Sequence, residues 1–198
     1  MPVAIREEVE AVLDNFAGRL RAVLDRAMKE WEAQPNKEKF IWPRVRANIL
    51  FSFICDEALK EFDEDPDVHV IAEAQTVKFL FRDSVLVRFK KGNARGVGSN
   101  IMTQAVLEFI DPQLAFAGLP DVHRVEVVYQ LDVLATGYAE VAVVARDKRA
   151  RVWAYPLNGK PSADIVALPP RVPPVLTPPV VKPKIVPATQ ASDDSSAE

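Results

Sequence analysis

The chain has 198 residues, 48% of them hydrophobic and 27% charged, with a formal net charge of −3. That composition suits one domain with a real core, and the slight acidity excludes a protein that is basic throughout, so any nucleic-acid contact would need a local patch. A single cysteine, Cys55, excludes an intramolecular disulfide and a cysteine-rich zinc site, and it fits a reducing cytoplasm.

The opening residues MPVAIREEVEAV carry early acids and no apolar run, so no signal peptide is expected. No stretch of about 18 apolar residues marks a membrane span. Residues 3–32 then read as one long amphipathic helix. Ile5, Val9, Val12, Leu13, Phe16, Leu20, Val23, Leu24, Ala27 and Trp31 recur at three- and four-residue steps. Its stripe either packs on its own domain or overhangs it and docks a second copy or another protein. Residues 43–62 form a second, more apolar helix, with Pro43 in the first turn, where its missing N–H costs nothing. Its apolar character predicts deeper burial than that of the first helix, with Cys55 as a core filler rather than a nucleophile. Eight acids against Lys60 give residues 56–73 a charge of −7. They read as a solvated helix end and loop, or as an electrostatic partner for the basic segment that follows.

That segment, TVKFLFRDSVLVRFKKGN, is a hairpin. Setting Phe81 opposite Val85 places Phe79 opposite Val87 and Val77 opposite Phe89, and it leaves Arg82, Asp83 and Ser84 as the loop. A slip of one residue would mix apolar and basic faces. The other face then gathers Lys78, Arg88 and Lys90, expected to be exposed, with Lys91 and Arg95 in the loop beyond. Six basic residues against Asp83 give residues 76–100 a charge of +5. In KKGNARGVGSN, Gly92, Gly96 and Gly98 before a helix N-terminus offer backbone amides to an anion. The spacing is neither a Walker A loop nor a dinucleotide fingerprint. A short helix at about 103–110 follows, capped by Thr103 and stopped by Asp111-Pro112, and LAFAGLP (114–120) reads as an apolar loop. Strands are expected at 125–134, 138–146 and 151–157. Between the last two lies a second basic cluster, Arg146, Lys148, Arg149 and Arg151. Trp153 and Tyr155 beside it suit either base stacking or an ordinary core face.

Residues 156–198 hold ten of the sixteen prolines. PPRVPPVLTPPVVKPKIVP cannot make a ladder or a helix and predicts extended chain. The reading is a single α+β domain over 1–160, with its long helix at 1–34 and a Pro-rich, largely disordered tail over 161–198. Two N-terminal helices pack on an antiparallel sheet of about five strands, with a short helix inserted.

Catalytic signatures are scarce. His69 and His123 lack ligand spacing, so no metal and no cofactor is expected. Glu126 is followed by Val127 and Val128, which breaks the acid–E-x-K pattern of metal-dependent nucleases. The candidate anion- or nucleic-acid-binding residues are Lys78, Arg88, Lys90, Lys91, Arg95, Lys148 and Arg149.

Taken together, LVRFKKGNARGVGSN, QLAFAGLP and VEVVYQLDVLATGYAEVAVVARDKRARVWAYPL resemble a group of bacterial and prophage proteins found in RosmerTA-like toxin–antitoxin or phage-defence pairs, over about residues 76–157. The resemblance implies a cytoplasmic bacterial protein acting through an antitoxin- or regulator-like partner, possibly on nucleic acid. It carries no catalytic residue. The alternative is a non-enzymatic nucleic-acid-binding module, or an assembly protein that dimerises through its first helix.

Overall fold

A computed structural model describes residues 3–73, 76–99, 103–111 and 122–157. The apolar loop expected at 114–120 and the proline-rich tail lie outside these residues. The fold is α+β. Helices α1 (Arg6–Leu13), α2 (Ala17–Glu32) and α3 (Pro43–Phe62) precede the strands β1 (Val68–Glu73), β2 (Thr76–Phe81), β3 (Val85–Lys91), β4 (His123–Leu131), β5 (Tyr138–Asp147) and β6 (Ala150–Pro156). Helix α4 (Gln104–Ile110) lies between β3 and β4, and the six strands form one sheet in sequence order.

The expected first helix is two helices. Asp14 and Asn15 interrupt it, because short polar side chains compete for the backbone. Phe16 turns inward there, and its ring meets Phe81 edge-on with centroids 4.8 Å apart. The apolar stripe nonetheless runs on through the break. Val9, Leu13, Phe16, Leu20, Val23, Leu24, Ala27, Met28 and Trp31 are all buried. This part of the stripe packs on the chain's own sheet, while Ile5 is exposed and Val12 half-buried. Tyr138 Oη donates to the Leu24 carbonyl at 3.0 Å, and Trp153 Nε1 donates to that of Ala4 at 2.7 Å, tying α1 and α2 to β5 and β6. Trp153 is thus a core-side residue rather than a stacking platform.

Helix α3 begins at Pro43 as expected but is less buried than α2. Leu50, Ile54, Ala58 and Phe62 form its one buried row, while Ile49, Phe51 and Phe53 are half-covered and Val45 is exposed. Its apolar residues spread around the helix, so no single face can bury them all. Cys55 is half-covered too, and burial pushes its thiol up to about 11, which suits a packing role.

The hairpin register is the expected one: Phe81 faces Val85 and Phe79 faces Val87. The sheet gains β1, whose Val68, Val70 and Ala72 pair with Phe81, Phe79 and Val77. Its position inside the acidic run had masked it as loop. The pairing of β3 with β4 is parallel, which makes the sheet mixed. Parallel neighbours need a crossover of about a dozen residues or more, and residues 92–122 with α4 supply it.

The acidic run serves mainly α2. Glu61 accepts from Arg19 at 2.7 Å and from Arg26 at 2.8 Å, Glu57 accepts from Arg26 at 2.5 Å, and Asp65 accepts from Arg19. Hydrogen bonds from Arg26 to Glu57, and from Arg19 to Glu61 and Asp65, hold these carboxyls below their ordinary range. A lowered folded pKa contributes stability above the unfolded value, about 4, and loses it as pH falls through the folded value. The pairs are partly exposed, so each contributes little. We expect the melting temperature to fall as pH drops from about 5 to 3, and the drop to be blunted in Arg19→Gln/Arg26→Gln, as calorimetry would show.

Candidate functional site

The sheet has two faces. One carries Phe79, Phe81, Val87, Phe89, Val127, Tyr129 and Val143 against α1, α2 and α3. The other is covered in two places. Phe109 and Ile110 of α4, with Val122, pack on Leu80 and Leu86. Val97, from the loop after β3, packs on Val128, Ala142 and Val144. Arg124 pins the end of α4 through the Glu108 and Asp111 carbonyls.

This covering corrects the expected exposed basic face. Lys78 and Arg88 are buried, at 5% and 4% exposure, and Lys90 is half-buried. Lys78 pairs with Glu73 at 3.2 Å, so one acid of the 56–73 run does meet this face. The main counter-charge for Arg88 comes from β4. The parallel register sets Arg88 beside Glu126, whose Oε1 accepts from Arg88 Nη2 at 2.6 Å and Nε at 3.2 Å. Glu126 Oε2 accepts from Gly98 N at 3.0 Å and from Arg146 Nη1 at 3.3 Å. Burial pushes the Glu126 carboxyl up, but the Arg88 and Arg146 guanidiniums outweigh it and hold the group below its ordinary range. The Phe109 ring closes over Arg88 at 3.9 Å. Burial lowers the Lys90 pKa, and the Arg88 charge adds to that effect.

The glycine loop is also not the amide nest its composition suggested. Gly92 N donates to Tyr129, Ser99 N to Lys91 and Gly96 N to Asn93, all to carbonyls. Asn93 Oδ1 accepts from Arg95 N at 2.8 Å and Val97 N at 3.4 Å, and Gly98 N is held by Glu126. A Cβ on Gly98 would sit 2.5 Å from Glu126 Oε2 and 2.7 Å from Lys90 Cβ, so glycine is required there. The loop amides are thus taken up by internal hydrogen bonds, and its side chains are what it presents outward.

Those side chains meet the second basic cluster. A cleft of about 410 Å³ lies between the loop and the β5–β6 turn, lined by Asn93, Arg95, Val97, Gly98, Arg146 and Arg149. Among the described residues no carboxylate lines it. Arg146 forms its floor, bound to Glu126, to the Gly98 carbonyl at 3.2 Å and to the Lys148 carbonyl at 2.7 Å. The β5–β6 register shifts between Ala145 and Arg146, so Arg151 pairs with Arg146 although Trp153 pairs with Ala145 on the core side. That shift turns Arg151 toward the loop, where its Nη1 lies 2.7 Å from where a Gly96 Cβ would be.

Of the seven candidate residues, Arg95 and Arg149 share this cleft. Lys91 lines an adjoining groove, and Lys148 reaches Asp111 at 3.6 Å. Arg46, Lys91, Arg95, Arg149 and Arg151 have no carboxylate partner among the described residues, whereas Arg19, Arg21 and Arg26 of α2 each have one. Glu30, Asp56 and Glu57 bring carboxylate oxygens within 4.8 Å of one another, but Lys60 pairs with Asp56 and Glu57, and Arg26 with Glu57. His69 faces Asp83 at 3.2 Å, and His123 faces Glu8 at 2.6 Å.

Compared with known proteins, the chain matches no family model, no curated protein and no solved structure. The site is therefore read from its geometry. Sequence reasoning missed Glu126 as the anchor of the loop and the turn of Arg151 toward Gly96. The first would have needed the parallel β3–β4 pairing, and the second the shift in β6.

Proposed function

We propose that the protein is a nucleic-acid-binding module that holds backbone phosphates in the cleft between residues 93–98 and the β5–β6 turn. One observation carries this reading. Arg95 and Arg149, 54 positions apart in the sequence, converge on a carboxylate-free cleft with no acidic partner among the described residues. Unpaired guanidiniums gathered in a chain of net charge −3 favour a bound polyanion, and their forked donors suit phosphate oxygens. Arg146 and Glu126 keep the floor in place, and backbone hydrogen bonds brace the loop that carries Arg95 before the ligand arrives.

The test is a titration of a labelled oligonucleotide at two salt concentrations. Arg95→Gln/Arg149→Gln should weaken binding roughly tenfold or more at low salt and reduce the salt slope by roughly one unit per lost phosphate contact. Lys29→Gln, on α2, should change neither. Absence of wild-type binding at low salt, or equal binding by the double variant, would overturn the reading.

A further inference from the structure

Beside the cleft lies a second cavity of about 390 Å³, between α3 and the β4–β5 turn. Asn93 and Ala94 line both, so the two spaces meet across the tip of one loop. The second has a different chemistry. Trp31 of α2 and Pro43 and Leu50 of α3 line it together with Leu131 of β4 and Val133 and Leu134 of the turn. Val133 and Leu134 are wholly and 80% exposed, and Trp42, which precedes Pro43, is 67% exposed. Arg46 and Lys91 stand in the same wall, neither with a carboxylate partner among the described residues. The acid that lines it, Asp132, is engaged within its own turn by Thr136 N at 2.9 Å and Thr136 Oγ1 at 3.2 Å.

We infer that this groove is a base-binding subsite and that the ligand is a single strand, running from the arginine cleft over Asn93 and Ala94 into the groove. The inference rests on the reading of the cleft as a phosphate site. Continuity and charge select the occupant. A strand presents alternating anionic and apolar units, and the two cavities present guanidiniums and then an apolar wall with two cations that have no carboxylate partner among the described residues. A duplex hides its bases and offers nothing to Leu134 or Trp42. Stacking on aromatic side chains tolerates every base, so the subsite should accept strands without strong sequence preference.

Trp42 supplies its own reporter. Of the three tryptophans, Trp31 is 5% exposed and Trp153 is partly buried and bonded to Ala4. Trp31 lines the groove and Trp42 is exposed beside Pro43, so quenching by a ligand reads these two, and its loss in Trp42→Ala/Leu134→Ser assigns it to Trp42. The full chain is titrated with oligo(dT), with a duplex of equal length and with inorganic polyphosphate. Oligo(dT) should quench the fluorescence and bind more tightly than the duplex, while polyphosphate should bind without quenching. Trp42→Ala/Leu134→Ser should weaken oligo(dT) binding about tenfold, with an unchanged salt slope and unchanged polyphosphate affinity. Both side chains are exposed, so circular dichroism should show an intact fold.

Equal weakening for oligo(dT) and polyphosphate, or equal affinity for duplex and single strand, would overturn the single-strand path while leaving the cleft reading in place. Binding of none of the three ligands would overturn both. Trp42 emission that changes with protein concentration, together with a dimer in light scattering, would assign the groove to a second copy and also overturn the inference.

Discussion

Glu126→Ala is expected to lower unfolding free energy by about 3–5 kcal/mol. Glu126 is fully buried and stands between two guanidiniums that are themselves 4% and 9% exposed. Its loss leaves Arg88 and Arg146 facing each other in low dielectric with no anion between them, and it frees the Gly98 amide that anchors the loop. Removing one partner of a buried ion group costs far more than the group contributes, because the remaining charge keeps its desolvation penalty. For a chain of this size the change corresponds to a melting point lower by about 10 °C. Glu126→Gln keeps the shape and an acceptor and should lie between. Replacing all three charges by apolar residues, Arg88→Met/Glu126→Leu/Arg146→Met, should recover much of the loss. Urea unfolding at neutral pH measures each variant, and a loss below about 1 kcal/mol for Glu126→Ala would contradict the assignment.

Phe81→Ala should cost a similar amount, about 3–5 kcal/mol, by a different mechanism. The ring is fully buried and meets Phe16 at 4.8 Å and Phe62 at 5.4 Å, both edge-on. It joins the α1–α2 break, the end of α3 and the sheet. Deleting it removes two aromatic contacts and leaves a cavity that three elements of fixed geometry cannot close. The urea midpoint should fall without a change in slope, since the surface exposed on unfolding stays nearly constant. Leu134→Ala, at a side chain 80% exposed, is the matched control and should change stability by less than about 0.5 kcal/mol.

The contrast between these residues shows what the sequence could reveal. Phe81, Phe79 and Val87 were legible because period-two alternation places them on one face whatever lies beyond, and the register Phe81–Val85 follows from that parity alone. Pro43 and Thr103 marked their helix starts through local chemistry, and Thr103 Oγ1 does accept from Val106 N at 3.3 Å. The face opposite Phe81 was misjudged as exposed. Its polar residues obey the same alternation as a solvated face, and nothing local announces that α4 and Val97 cover it. Arg88 was read as a ligand contact because its partner lies 38 positions away on a strand paired in parallel. The cleft was half legible. Both basic clusters were visible, but their meeting depends on the crossover and on the register shift in β6. Arg95 is exposed on the loop, whereas Arg88 is buried against Glu126, which anchors that loop, and Lys78 is buried beside Glu73.

We propose that Arg95 and Arg149 bind the polyanion, whereas Lys78 and Arg88, buried on β2 and β3, are structural. Nuclear magnetic resonance places the ligand directly. On adding an oligonucleotide at low salt to uniformly ¹⁵N-labelled protein, amide shifts should move for residues 91–99 and 146–151 and return when salt is raised. Movement confined to α1, α2 or the β1 edge, or no movement at low salt, would contradict the account.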